Sequence, residues 1–217
     1  MTALAQSMLP ELPHGWQRRL RTRLRAEPDS RLEDCRVGTR LAAEFETVPI
    51  TIAAAAVLVP IVLHAPAPTL LLTVRASHLR SHAGQISFPG GRIEPSDRDA
   101  GFAALRETQE EIGIEAARIE PIGFLSDQII RSGYRITPLV GLVQPGFTVT
   151  HDAAEVAEVF ELPLAFALTA GNYRSRPGRG YGPDFEIWEL PYGERNIWGA
   201  TAGILANLRE VLSEDRA

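Results

Sequence analysis

The stretch from Gly90 to Ile114 constrains this chain more than any other: two glycines, a short polar connection, then an acidic segment with a capping residue at each end. Gly90-Gly91 predicts a tight turn where backbone can approach another group closely. Asp99 suits an N-cap and Gly113 a C-cap, so a helix is expected from about Asp99 to Ile112. At about 100° per residue, Phe102, Leu105 and Ile112 fall on one side, the expected core face. Glu107, Glu110 and Glu111 fall on the opposite, open side. Like charges at helical spacing repel by a few tenths of a kcal/mol, so the arrangement costs stability unless a cation sits among them. A hard divalent ion prefers carboxylate oxygens and substrate phosphates. The plain alternative for an E-x-x-E-E run is a solvated acidic face; the glycine turn and the two caps favour a site.

These residues resemble the Nudix box, G-x5-E-x7-R-E-U-x-E-E-x-G-U, over Gly91 to Ile114. Gly91 and Arg106 stand one residue farther apart than that pattern, Asp97 lies roughly where its first glutamate belongs, and Thr108 replaces the apolar residue after the Arg106-Glu107 pair. The R-E-x-x-E-E core is intact. Immediately upstream, Leu71-Leu72-Thr73-Val74-Arg75-Ala76-Ser77, Arg80, Gly84 and Phe88-Pro89-Gly90-Gly91 resemble the extra signature of the coenzyme A diphosphatase branch of Nudix hydrolases, with one slack position between Arg75 and Arg80. The expanded box also looks like this branch. Ile197-Trp198-Gly199-Ala200-Thr201 is similar to the family's segment before its last helix.

The resemblance implies an α/β fold, the Nudix α/β/α sandwich with a mixed β-sheet. It implies Mg²⁺ or Mn²⁺ held by Glu107, Glu110 and Glu111, with Arg106 orienting a catalytic glutamate and Gly90 and Gly91 presenting backbone to a phosphate. Metal ions would neutralise the diphosphate and acidify a bound water. The general base is open between a box glutamate and an acid on a distant loop; Glu155 is the preferred distant candidate and Glu158 the second, each otherwise a surface strand residue. Arg75 and Arg80 are expected to bind substrate, since the 3′-phosphate of coenzyme A needs cationic partners. His78 and His82 are read as loop or phosphate contacts rather than metal ligands. No nucleophile elbow or triad spacing supports a covalent route.

The implied reaction is hydrolysis of coenzyme A or its thioesters to 4′-phosphopantetheine (or its acyl form) and adenosine 3′,5′-bisphosphate. A broader hydrolase of ADP-ribose or NADH is the alternative. A non-catalytic nucleotide-sensing module is a third reading, weakened because all three box carboxylates are present.

The 217 residues suit an N-terminal helical extension and linker over 1–47 and a catalytic domain over 48–214. A net charge of −5 argues against a nucleic-acid-wrapping surface. The single Cys35 excludes an intrachain disulfide and fits a reducing cytoplasm. Met1 to His14 lacks the basic-then-apolar pattern of a secretory signal. The apolar run Pro49 to His64 is shorter than the roughly 20 residues of a membrane helix and reads as buried strand.

Gly15 to Ala26 carries Arg18, Arg19, Arg21, Arg23 and Arg25, with Trp16, Leu20 and Leu24 at helical spacing. It reads as an amphipathic helix packed on the domain, with a phosphate-attracting or dimer-forming arm as the sharper option; a homodimer stays open. Asp29 to Val48 reads as linker and loop. Strands are expected at about Ala53–Leu63, Leu70–Arg75, Ile119–Gln128, Tyr134–Val143, Glu155–Leu162 and Phe185–Leu190. Pro163 should break into a short helix, and Thr201–Leu212 should form an amphipathic closing helix.

Overall fold

The computed structural model describes residues 11–38, 40–42, 53–79, 82–130, 132–178 and 185–213. The first half of the chain forms α1 (Trp16–Arg23), β1 (Arg36–Val37), β2 (Arg40–Leu41), β3 (Ala53–Val62), β4 (Thr69–Arg75), β5 (Ile86–Ser87), β6 (Gly90–Arg92) and α2 (Ala100–Ile112). Then follow β7 (Ile119–Phe124), β8 (Gln128–Ile130), β9 (Tyr134–Val143), β10 (Val156–Pro163), α3 (Leu164–Leu168), β11 (Arg174–Gly178), β12 (Phe185–Tyr192), β13 (Arg195–Trp198) and α4 (Ala200–Leu212).

The apolar run is β3, paired in parallel with β9 from Ala53↔Tyr134 to Val62↔Val143. Around this pair runs a mixed sheet in the order β10-β4-β3-β9-β8-β1-β2, with β5, β6 and β7 added on β4, β3 and β9. Burial on both faces explains why β3 reads as continuous Ala, Val, Leu and Ile rather than as apolar–polar alternation. Alternate side chains go to different layers. Ala56, Leu58 and Val62 pack with Ala103, Ala104 and Ile112 of α2. Val59 and Ile61 pack with Leu205 and Leu208 of α4. The result is the expected α/β/α arrangement, with a separate three-stranded sheet, β11-β12-β13, beside α4.

Three expectations are corrected. Asp29–Val48 is not all loop: β1 and β2 join the main sheet through Arg36↔Gln128, and two-residue strands leave no period to read. Residues 39 and 43–48 lie outside the described residues. The strand expected over Ile119–Gln128 breaks after Phe124, because the Ser126 and Asp127 N–H groups are taken by the side chains of Asn207 (3.0 Å) and Asp29 (2.8 Å). Finally, α4 is buried on nearly every side rather than amphipathic, being covered by α1 and α3 as well as by strands.

The arginine-rich helix α1 packs on the body: Leu20 is fully buried in the main core. Arg23 donates to the carbonyls of Val211 (3.0 Å) and Ser213 (2.5 Å), satisfying acceptors that the end of α4 leaves open. Arg21 pairs with Glu120, and Arg25 with Asp29. Asp29, Asp127 and Cys35 come together beneath this segment, a set of metal-ligand type. Their carboxylates are already matched by guanidinium groups, since Arg25 pairs with Asp29 and Arg135 Nε donates to Asp127 Oδ2 (2.5 Å). The cluster therefore reads as an ionic clasp for the N-terminal segment. No described helix is long and apolar enough to cross a membrane.

Candidate active site

Helix α2 starts and stops where its caps predict. Asp99 Oδ1 accepts the Phe102 N–H at 2.7 Å, and Gly113 closes the helix in the left-handed conformation at φ 75°. Its orientation differs from the expectation. Phe102 is 40% exposed, whereas Ala103, Ala104, Thr108, Glu111 and Ile112 are buried. The small residues let the helix lie close on β3, and that turns Glu111 inward. Thr108 serves as the apolar residue it replaces, because its hydroxyl is spent on the Ala104 carbonyl at 2.7 Å.

The three box carboxylates consequently span the boundary between core and solvent rather than all facing outward. Glu111 is buried, Glu107 nearly so, and the Glu110 side chain is 60% exposed. Burial pushes Glu111 up to about 7, opposed by the Gly90 N–H and Arg75 and reinforced by Glu155 and Glu107. Burial also raises Glu107, against the pull of Arg106. A carboxylate that buries poorly and faces other acids is what a divalent cation relieves, so this donor set fits a hard metal. The three do not close into a cage by themselves among the described residues; Glu107 and Glu110 both lean on Arg106.

Arg106 is the hub. Nε and Nη2 grip Asp97 in two bonds of 2.9 and 3.0 Å, and Nη1 donates to Glu107 (3.0 Å) and Glu110 (2.9 Å). Nη2 also reaches the Arg92 carbonyl at 3.2 Å. Asp97, held below the usual carboxylate range by Arg106 and then by the Glu94 N–H, fixes the guanidinium from behind. Its place near the first glutamate of the pattern was the sequence signal for this role.

The glycine turn meets the helix directly. Gly90, at φ 150°, donates its N–H to Glu111 Oε2 at 3.0 Å, and a Cβ there would strike the Ala56 carbonyl. Arg75 ends β4 with Nη1 4.0 Å from Glu111 Oε1, so a branch-motif cation stands at the inner carboxylate. Arg80 lies outside the described residues. His82 bonds Gln85 at 2.8 Å, and His78 is exposed.

The two distant acids are separated. Glu155 precedes β10, near enough to Glu107 and Glu111 to raise both, and its carbonyl accepts the Ala76 N–H. Glu158, beyond a bulge in the β10–β4 register, pairs with Arg195 instead. Sequence reasoning placed Thr201 in the segment before the last helix without a role; its hydroxyl donates to the Ile86 carbonyl at 2.9 Å and ties α4 to the strand leading into the glycine turn.

Known proteins resemble this chain in sequence and in fold. The NUDIX domain family model matches residues 54–172. The uncharacterized Nudix hydrolase NudL of Escherichia coli (strain K12) is 44% identical over 154 residues, 71% of this chain and 80% of that protein. The protein of the same description from Shigella flexneri is 41% identical over 168 residues, 77% of this chain and 87% of its own. Among solved structures, the Nudix hydrolase RenU from M. smegmatis superposes with a TM-score of 0.52 at 18% identity, covering 76% of this chain and 88% of that one, a likeness of fold.

Proposed function

Since the chain belongs to the Nudix family and is a hydrolase of nucleoside diphosphate derivatives, we propose that its substrate is coenzyme A or a coenzyme A thioester. Cleavage of the diphosphate would yield 4′-phosphopantetheine, or its acyl form, and adenosine 3′,5′-bisphosphate. The observation that carries this reading is Arg75: the branch motif delivers a cation 4.0 Å from Glu111, at the inner carboxylate of the box. An arginine there suits a substrate with more phosphate than the scissile pair. Arg80 of the same motif is proposed as a second phosphate contact.

Nudix hydrolases use divalent metal ions, and we take Mg²⁺ or Mn²⁺ to be held by Glu107, Glu110 and Glu111. When bound, the metal supplies charge neutralisation on the phosphoryl oxygens and an acidified water. The chain's own residues do the rest. Arg106 orients Glu107 and Glu110, the Gly90 N–H and Arg75 hold Glu111, and Gly91, having no side chain, leaves room for the Glu107 carboxylate. Glu155, the acid that borders both Glu107 and Glu111, is the proposed base that takes the proton from water.

Steady-state hydrolysis of coenzyme A, dephospho-coenzyme A, ADP-ribose and NADH, with each metal and with EDTA, tests the reading. The expected result is the highest kcat/KM on coenzyme A or its thioesters and none in EDTA. A preference for ADP-ribose or NADH would replace the proposed substrate, and turnover in EDTA would overturn the metal assignment.

A further inference from the structure

The three-stranded sheet β11-β12-β13 turns one face of its central strand onto the main core. Trp188, Leu190 and Tyr192 pack on the main core, and the Tyr173 and Trp188 rings meet edge to face at 5.8 Å beneath Arg209. Its other face is different. The register sets Arg174, Glu189 and Trp198 in one row, and directly opposed residues share a face. Arg176, two residues along β11, is on that face too. Trp198 is 37% exposed, and Arg174 and Arg176 are exposed. The Arg176 guanidinium lies 5.6 Å from the centre of the Trp198 ring and is held there by Glu189 Oε1 at 2.6 Å. Arg174 has no ion-pair partner among the described residues. Farther along this face Ile187 and Phe185 pack on Val37 and Ile129, so Trp198 is a partly exposed indole at its edge, overlain on one side by an arginine that a glutamate holds.

Its position connects it to the carboxylate site. Strand β13 runs beside β5. Three residues beyond Trp198, Thr201 bonds the Ile86 carbonyl, and four residues beyond Ile86 stands Gly90, whose N–H holds Glu111. At about 3.3 Å per residue, the Ile86–Gly90 segment spans at most about 13 Å. Trp198 thus sits on the strand next to the one that leads into the glycine turn.

We propose that Trp198 is the stacking surface for the substrate's nucleobase, with Arg174 and Arg176 favouring an anionic nucleotide over a neutral aromatic. This rests on the coenzyme A reading and assigns the adenosine half of the molecule to β11–β13 and the pantetheine half elsewhere. A purine stacks through its face whatever its edge carries, so the subsite fixes the class of ligand, a nucleotide, and not the base.

The test uses the full chain and the two product halves as inhibitors. Trp198→Ala should raise the Ki of adenosine 3′,5′-bisphosphate roughly 10- to 100-fold, the range of base-stacking losses, and shift that of 4′-phosphopantetheine less than twofold. The same variant should lose coenzyme A turnover through KM rather than kcat, and Trp198→Phe should recover most of the affinity. Equal changes in both inhibitors, or no change in either, would overturn the assignment. Should Trp198→Ala fold poorly, Arg174→Glu at an exposed position is decisive: it should weaken adenosine 3′,5′-bisphosphate selectively and more so at low salt, and unchanged inhibition overturns the proposal. If the wild-type enzyme ignores coenzyme A but cleaves ADP-ribose, the coenzyme A reading fails by itself. Stacking is then judged with AMP against ribose 5-phosphate as inhibitors, where a loss confined to AMP upholds it and equal losses reject it.

Discussion

Gly91 lies directly beneath the carboxylate of Glu107: a Cβ on Gly91 would stand 2.4 Å from Glu107 Cδ and 2.5 Å from both of its oxygens. Gly91 carries no left-handed backbone angle, so alanine is tolerable to the chain itself; the clash is with the functional group. Gly91→Ala should therefore leave the circular dichroism spectrum and melting temperature nearly unchanged while lowering kcat on the order of 10²-fold, the cost of an ångström-scale misplacement. Wild-type kcat in this variant would show that Glu107 does not work from the position seen here.

The long elements were legible because their periods are long. The strand expected over Tyr134–Val143 is β9 to the residue, and β3 and α2 agree with expectation to within a residue or so at each end. The two-residue strands β1, β2 and β5 carry no period; β1 and β2 form a hairpin whose place in the sheet is set by the remote pair Arg36↔Gln128, and β5 pairs with β4. Within the box, spacing alone put Glu107, Glu110, Glu111 and Arg106 in one neighbourhood. It could not tell that Glu111 is buried, because the packing face of α2 is marked by alanines and a threonine instead of large apolar residues. Nor could it separate Glu155 from Glu158, which depends on the bulge in the β10–β4 register.

Burial of Glu111 makes the metal-free protein sensitive to pH. The carboxyl moves from an ordinary 4.5 to about 7 on folding, so between these values the folded state binds more protons and stability falls as pH rises. Below about 4.5 the penalty is absent, and above about 7 it is complete. In EDTA, Glu111→Gln should be more stable than wild type at pH 8 by on the order of 3 kcal/mol, and the difference should vanish near pH 4. Denaturant unfolding at several pH values measures it. A Gln variant that is no more stable than wild type at pH 8 would show that Glu111 is not strained by its site.

Thr201→Val removes the bond to the Ile86 carbonyl and leaves a buried acceptor unpaired. A loss of about 1–3 kcal/mol in unfolding free energy is expected. Because Ile86 leads into the glycine turn, activity should fall further than stability explains when both are measured well below the melting temperature. An unchanged kcat would confine Thr201 to holding α4.

Arg106 grips Asp97 by geometry as well as by charge. One guanidinium serves three carboxylates, and only the fork toward Asp97 uses two parallel bonds. Those bonds fix the plane of the group, and the plane aims Nη1 at Glu107 and Glu110. Lysine keeps the charge but has no plane to fix and cannot hold Asp97 and both glutamates together. Arg106→Lys should therefore lower kcat on the order of 10²-fold with little change in KM, as expected for groups misaligned at the reacting centre. Asp97→Asn keeps one acceptor and should cost less. If Asp97 acts only through Arg106, the double variant should be no slower than Arg106→Lys alone, since nothing is left for Asp97 to align. Multiplicative losses in the double variant would mean that Asp97 contributes by a route of its own, independent of the arginine it holds.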